Sequence, residues 1–223
     1  MAKLVLIRHG ESTSNRDHIF TGWNDVPLTK KGIKQAIIAG KKLKKEQLKF
    51  SEIHTSLLSR AIKTANIIAD EIDQSYLPIY KSWRLNERHY GALRNVNKDQ
   101  ARLIYGTKKV AAWRRGFHTL PPLLIKPDYD RRYQLIPHDL IPRGESLAMS
   151  LKRVLIYYED QLAPKLHQEH NILLVAHGST IRVLIKYFDQ ITDEQLDGVK
   201  VGNGSPIIYQ FDHDLNILNK ISL

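Results

Sequence analysis

Two short stretches constrain the fold more than anything else in the chain. Leu4-Val5-Leu6-Ile7 and Ile172-Leu173-Leu174-Val175-Ala176 are unbroken apolar runs of strand length. A strand with no polar side must be covered on both faces, as in a parallel sheet held between helices. Each run ends in the same way: the first enters Arg8-His9-Gly10-Glu11-Ser12, the second His177-Gly178-Ser179-Thr180. In open α/β sheets, ligands lie beyond the carboxyl ends of the strands, so each histidine stands where a site is expected. The glycine after it lets the backbone turn sharply and approach a ligand closely.

The intervening segments fit that frame. Thr29 is expected to cap a helix with Ile33, Ala36, Ile37, Gly40 and Leu43 at helical spacing. A strand near Ile53 precedes a helix with Ala61, Ile62, Ala65, Ile68, Ala69 and Ile72 inward, and another strand is expected from Pro78 to Trp83. Asn97 with Gln100 suggests a capping box, Gly106 a stop, and Val110 to Arg115 a further helix. The proline-rich Leu120 to Pro142 segment predicts a long ordered loop or lid. A helix after Ser146 carries Leu147, Leu151, Val154, Tyr158 and Leu162, and Pro164 ends or kinks it. Thr180 to Phe188 is expected to be helical, and Ile207 to Phe211 a late strand. Strands alternating with helices predict a three-layer α/β fold: a mostly parallel central sheet, helices on both faces, and a helical and loop insertion at about 94–142. The 223 residues, 42% of them hydrophobic, are expected to form a single domain spanning 1–223.

Composition removes several classes of function. With no cysteine, disulfides, thiolate nucleophiles and Cys-based zinc sites are excluded. The apolar runs are far shorter than a membrane span, and the opening Met-Ala-Lys-Leu-Val-Leu-Ile-Arg has no leader pattern, so a cytoplasmic protein is expected. Lys and Arg number 34 against 23 Asp and Glu, a net charge of +11. Such a balance suits anionic partners, and charge alone does not choose among nucleic acid, anionic lipid and phosphorylated metabolites. Lys41-Lys42-Leu43-Lys44-Lys45 reads most simply as a solvated helix face. There is no helix-turn-helix, finger or RNA-binding signature, so the expected partner is a small phosphorylated metabolite rather than nucleic acid or membrane.

One isolated His-Gly is as readily a strand-end residue bonding a neighbouring loop as a functional group. Two, each on an apolar strand and one beside an arginine, point to a site. Arg8 next to His9 would repel a divalent cation and hold phosphate oxygens well. His167-Gln168-Glu169-His170 is the other metal-like spacing, but it lies near an expected helix end. No metal is expected.

Leu6-Ile7-Arg8-His9-Gly10-Glu11-Ser12 resembles the opening motif of the histidine phosphatase superfamily. Ser56-Leu57-Leu58-Ser59-Arg60-Ala61 with Thr64-Ala65 is similar to its second motif, and Ala176-His177-Gly178 to its third. Narrower marks resemble the cofactor-dependent phosphoglycerate mutase branch: Asn15, Phe20-Thr21-Gly22-Trp23, the run from Trp83 to Leu93, Asn97-Lys98 and Trp113-Arg114-Arg115. Weaker likeness continues through Gly144-Glu145-Ser146-Leu147 and Ser205-Pro206-Ile207-Ile208-Tyr209, so the resemblance covers almost the whole chain.

This resemblance implies a phosphoryl transfer through His9 as nucleophile, with Arg8, Arg60 and His177 around the transferring group. Glu87 would be the acid/base. Asn15, Thr21, Gly22, Tyr90, Lys98, Arg114, Arg115, Gly178 and Ser179 would hold substrate. It further implies interconversion of 3- and 2-phosphoglycerate, primed by 2,3-bisphosphoglycerate, without a metal. Arg114-Arg115 as a solvated pair, Lys98 as a surface lysine, Glu87 paired with Arg84 or Arg88, and Tyr90 and Trp113 as core residues are the plainer alternatives.

Several positions depart from the mutase pattern. Ser179 replaces asparagine, Arg94-Asn95 replaces Gln-Gly, Asn203 replaces threonine, and the Leu120 to Pro142 segment looks shorter. The chain stops at Leu223, soon after the expected last strand and without the longer tail common in mutases, which predicts more hydrolytic leakage than in a tailed relative. A superfamily phosphatase acting on a small phosphorylated metabolite is therefore the alternative, and a non-catalytic basic binding module the third reading. The oligomeric state, a homo-oligomer included, is left open.

Overall fold

The computed structural model describes residues 1–128 and 130–223. Among these residues six strands form one sheet: β1 (Ala2–Arg8), β2 (Glu52–Thr55), β3 (Ile79–Lys81), β4 (Ile172–Ala176), β5 (Pro206–Phe211) and β6 (Ile217–Ser222). Their spatial order is β3-β2-β4-β1-β5-β6. The pairs β3/β2, β2/β4 and β4/β1 are parallel, whereas β5 is antiparallel to both β1 and β6. Both apolar runs are thus adjacent central strands, and the sheet is mixed but mostly parallel.

The helices are α1 (Thr13–Arg16), α2 (Lys30–Lys45), α3 (Ser59–Glu71), α4 (Lys98–Tyr105), α5 (Thr107–Arg115), α6 (Leu147–Tyr157), α7 (Ala163–His167) and α8 (Gly178–Phe188). Alternation along the strands sorts the core into two layers. Leu4, Leu6, Leu174 and Ala176 pack with Leu147, Val154, Leu166, Ile181 and Leu184 from α6, α7 and α8. Val5, Ile7, Ile53, Leu173 and Val175 pack with Ala39, Leu43, Ala65 and Ile68 from α2 and α3. Each such aliphatic side chain contributes about 1.5–3 kcal/mol when fully buried. Helices on both faces follow from strands apolar on both faces.

Local chemistry sets the helix ends. Thr29 Oγ1 accepts from Gly32 N at 3.0 Å, Ser146 Oγ from Met149 N at 3.2 Å, and Asn97 Oδ1 from the amides of Asp99 and Gln100. The start of α2 also touches the first His-Gly corner backbone to backbone. A Cβ on Gly10 would lie 2.1 Å from the Gly32 carbonyl oxygen, so no larger residue fits there.

Several boundaries differ from expectation. Gly32 takes the buried position at the start of α2, and Ile33 is 42% exposed. The strand expected from Pro78 to Trp83 is confined to Ile79–Lys81, because Ser82 caps a 3-10 turn at Trp83–Leu85. α8 begins at Gly178, not Thr180. Pro164 does not end the helical run: a π-helical turn, Tyr158–Leu162, leads into α7 with Pro164 in its first turn. β6 was not anticipated, and it lies between Phe211 and the last residue. It is an edge strand exposed along its full length, so it has no period-2 pattern to find.

The described part of Leu120 to Pro142 has only two 3-10 turns, at Arg131–Tyr133 and His138–Leu140. It is tied down by an Arg94–Asp128 ion pair and by Asn86 Nδ2 donating to the Tyr133 hydroxyl at 2.9 Å. Among the described residues, no helix is long and apolar enough to cross a membrane.

Candidate active site

The parallel register aligns Arg8 with Ala176, and so brings the next residues, His9 and His177, side by side at the carboxyl end of the sheet. The His9 amide donates to the Ala176 carbonyl at 3.0 Å, and the two imidazole centroids are 5.0 Å apart. Both rings are buried, at 2% and 0% exposure. His9 Nδ1 lies 2.6 Å from the Gly10 carbonyl oxygen. That oxygen only accepts, so Nδ1 bears the proton and Nε2 the lone pair. Burial, then the charges of Arg60 and Arg8, hold the His9 pKa well below its ordinary value, which keeps the ring neutral and nucleophilic. His177 is depressed in the same way, by burial first and then by Arg60. Its Nε2 lies 2.7 Å from Ser56 Oγ, and its Nδ1 has no partner among the described residues.

Arg60 stands in the first turn of α3, just past β2, and is itself buried. It donates to the Asn24 carbonyl at 2.8 Å, the Gly22 carbonyl at 2.9 Å and His9 Nε2 at 3.3 Å. Burial lowers its pKa to about 10, so it stays charged at neutral pH. Arg8 donates to the Val201 carbonyl at 2.8 Å and crosses close over Gly178, while its Nε has no partner among the described residues. Asn15 Oδ1 is taken up by the Ser12 amide and Asn203 Nδ2, which leaves Asn15 its Nδ2 to offer.

Glu87 comes from an irregular segment on the opposite side. Its Oε1 accepts from the amides of Arg88 at 2.9 Å and Ser179 at 3.1 Å, leaving Oε2 without a hydrogen-bond partner among the described residues. No ion pair to Arg84 or Arg88 forms there among the described residues. The Arg88 guanidinium instead lies 4.5 Å over the Tyr90 ring and donates to the Arg114 carbonyl at 3.0 Å. Burial acts most strongly on the Tyr90 phenol and raises it, but the Arg88 charge together with hydrogen bonds from Arg88 and Ser179 brings the net shift downward.

A pocket of about 150 Å³ opens beside these groups. It is lined by Arg8, Asn15, Thr21, Gly22, Glu87, Tyr90, Lys98, Arg114, Arg115, Gly178 and Ser179. These residues were all expected at the site from the sequence; Ile19, Phe20 and Arg182 line the pocket as well, and His9, Arg60 and His177 are buried next to it. Burial lowers the pKa of Lys98 and Arg114, as expected of cations held together out of water. Arg115 is partly engaged already, 2.7 Å from Asp197. Among the described residues, no group of three or more His, Cys, Asp or Glu is placed to hold a metal ion. His167, one of the metal-like pair, bonds the His213 carbonyl at 2.7 Å.

Residues 4–222 match the sequence pattern of the histidine phosphatase superfamily, branch 1. The chain belongs to this superfamily. It is 56% identical over 221 residues, 99% of this chain and 96% of the relative, to a Lactobacillus johnsonii protein named 2,3-bisphosphoglycerate-dependent phosphoglycerate mutase 2. It is 53% identical over 220 residues, 99% of this chain and 94% of the relative, to 2,3-bisphosphoglycerate-dependent phosphoglycerate mutase 1 of Latilactobacillus sakei. Among solved structures of the superfamily fold, Bacillus stearothermophilus YhfR aligns with a TM-score of 0.76 at 26% identity, covering 97% of this chain and 94% of that one.

Three site residues escaped the sequence. Arg182 lines the pocket and donates from Nε to the Val199 carbonyl at 3.1 Å. It lies one turn after Gly178 on α8, so helical spacing from the second His-Gly corner was the available signal. Asn203 donates to the His9 carbonyl at 2.8 Å, and Ser56 pairs with His177; both lie in segments noted for other reasons.

Proposed function

We propose that the protein interconverts 3-phosphoglycerate and 2-phosphoglycerate through a phosphohistidine at His9, primed by 2,3-bisphosphoglycerate. The observation that carries this is the double set of cations. Arg8 and Arg60 flank His9, and Lys98, Arg114, Arg115 and Arg182 add further charge to the same pocket. A substrate bearing a phosphate and a second anionic group uses both sets; simple phosphate release needs only the first. The names of the relatives at 53–56% identity support the same reading.

The primer fits the residues present. Arg8 Nε and His177 Nδ1 are buried polar atoms without partners among the described residues, suited to anionic oxygens. 2,3-bisphosphoglycerate supplies the phosphoryl group that charges the enzyme. His9 Nε2 attacks in line with its lone pair, while Nδ1–H stays fixed on the Gly10 carbonyl. Arg8, Arg60 and His177 stabilise charge on the equatorial oxygens. Glu87 gives a proton to the departing oxygen through Oε2 and takes one from the attacking hydroxyl in the return step. Asn15, Thr21, Gly22, Tyr90, Lys98, Arg114, Arg115, Gly178 and Ser179 hold the substrate.

In this proposal residues 1–223 act as one domain, with 94–142 as the insertion closing one side of the site. The enzyme is cytoplasmic, binds neither nucleic acid nor membrane, and needs no metal. The test is conversion of 3-phosphoglycerate with and without 2,3-bisphosphoglycerate, scoring 2-phosphoglycerate and free phosphate together, in the presence of a strong chelator. Primer-dependent 2-phosphoglycerate exceeding phosphate is expected. Phosphate release about tenfold faster, a barrier difference of ~1.4 kcal/mol, replaces the mutase with a phosphatase.

A further inference from the structure

Glu87 belongs to no helix or strand. It lies between the 3-10 turn at Trp83–Leu85 and another at Gly91–Leu93, with no ladder to fix it. A group that moves a proton must nevertheless be held to within about 0.5 Å of its working position. Arg153 enters this segment from the middle of α6. Its NH1 donates to the carbonyls of Trp83 at 3.2 Å, Arg84 at 2.6 Å and Asn86 at 3.3 Å. Its NH2 reaches the carbonyls of Asn86 at 3.3 Å and Glu87 at 3.5 Å.

Glu145 completes the arrangement. Its carboxylate takes Arg153 in a fork, Nε to Oε1 at 2.7 Å and NH2 to Oε2 at 2.9 Å. The same Oε2 accepts the His89 amide at 2.8 Å. One ion pair therefore grips the chain on both sides of Glu87-Arg88: the carbonyls before it and the amide after it. Trp23 Nε1 adds a third hold, donating to the Glu87 carbonyl at 2.7 Å, with the Arg153 guanidinium 5.7 Å over the indole. With the backbone fixed, the amides of Arg88 and Ser179 orient Oε1 and leave Oε2 for the proton.

We propose that Arg153, paired with Glu145, is the positioning residue for Glu87. Stability alone does not account for it. Both side chains are buried, at 6% and 3% exposure, and a buried ion pair is commonly no more stable than apolar packing of the same volume. What apolar packing lacks is a set of directed donors matched to four carbonyls of one five-residue stretch, those of Trp83, Arg84, Asn86 and Glu87. Lysine keeps the charge but not the planar fork, so Arg153→Lys removes the grip.

This assignment rests on Glu87 as the proton carrier, and a double-mutant cycle separates the two. Glu87→Gln, Arg153→Lys and the double variant are assayed for kcat and KM with 3-phosphoglycerate at saturating primer, alongside Tm. Arg153→Lys is expected to lower kcat by about 10- to 100-fold while KM stays within about threefold. In the Glu87→Gln background, the second substitution is expected to add almost nothing. Losses that multiply in the double variant overturn the assignment, because a merely structural role acts independently of Glu87. A kcat for Arg153→Lys within about threefold of the parent overturns it as well. An unchanged kcat in Glu87→Gln removes the proton carrier and the assignment with it. Should Arg153→Lys not fold, Glu145→Gln, which keeps an acceptor for the His89 amide, goes through the same cycle with the same expectation.

Discussion

Replacing Arg60 with lysine keeps a positive charge beside His9 and removes its geometry. Arg60 makes three directed bonds, to the carbonyls of Asn24 and Gly22 and to His9 Nε2. The last, at 3.3 Å, is long and therefore weak, so Nε2 is readily released to attack while the guanidinium stays close enough to meet the incoming oxygens. The two carbonyl bonds, each charge-assisted, contribute about 1.5–3 kcal/mol apiece, and a lysine ammonium can recover one of them. The expected loss of stability is thus about 1.5–3 kcal/mol, or roughly 3–12 °C in Tm for a chain of this size. Catalysis should suffer more. Losing a preorganised donor at the developing charge lowers the rate by about 10²–10³-fold. Thermal unfolding followed by circular dichroism, and rapid-quench labelling of His9 from 2,3-bisphosphoglycerate, measure the two effects separately. A variant that labels His9 within about fivefold of the parent rate would falsify the role given to the Arg60 fork.

Gly10→Ala places a Cβ 2.1 Å from the Gly32 carbonyl oxygen, and backbone must move to relieve it. Destabilisation of about 1–3 kcal/mol is expected, with loss of His9 labelling because Gly10 also holds Nδ1; a variant with unchanged Tm contradicts the contact. Arg114→Ala should raise KM for phosphoglycerate by roughly 10–100-fold, and Arg115→Ala by less because Asp197 already shares that guanidinium. Equal effects, or none, count against the assignment. Stability should also fall in acid. Burial depresses the folded-state pKa of His9 and His177 below the ordinary 6.5, so the unfolded chain binds more protons in that window. The stabilisation is therefore complete above about pH 6.5 and is lost as pH falls towards the folded-state values. Tm measured from pH 7.5 to 5 at constant ionic strength should drop, with a shallower slope in His177→Gln; a flat profile in the parent contradicts the burial argument.

Groups fixed by regular structure were legible in the sequence, and groups fixed by irregular contacts were legible only through family resemblance. The two apolar runs announce buried strands, and their parallel pairing is enough to place His9 beside His177. Arg60, at the next strand-to-helix corner, was legible only through the family resemblance. Glu87 has no such periodicity, because the segment from Trp83 to Tyr90 is shaped by Arg153, Glu145 and Trp23, which are far away in sequence. Arg182 was missed because one basic residue on an apolar helix looks like surface. β6 was missed because a strand exposed on both faces has no alternation.

The two halves of the site therefore respond differently to sequence change. His9, His177 and Arg60 stand at the ends of β1 and β4 and just past β2, where moving one group requires breaking the sheet register. Glu87 and Tyr90 are held by a 3-10 turn, a buried ion pair and the neighbouring contact in which Arg94 grips Asp128, which also accepts from His89. A substitution at Arg94 removes a contact next to this segment without touching a strand. In the proposed reaction the groups that capture the phosphoryl are thus held by the ends of strands, whereas the proton carrier is held by polar contacts that single substitutions can remove. Among the departures from the mutase pattern, Arg94 belongs to the second group and Asn203, which donates to the His9 carbonyl, to the first, so Arg94→Gln is expected to change the ratio of 2-phosphoglycerate to free phosphate more than the rate of His9 labelling.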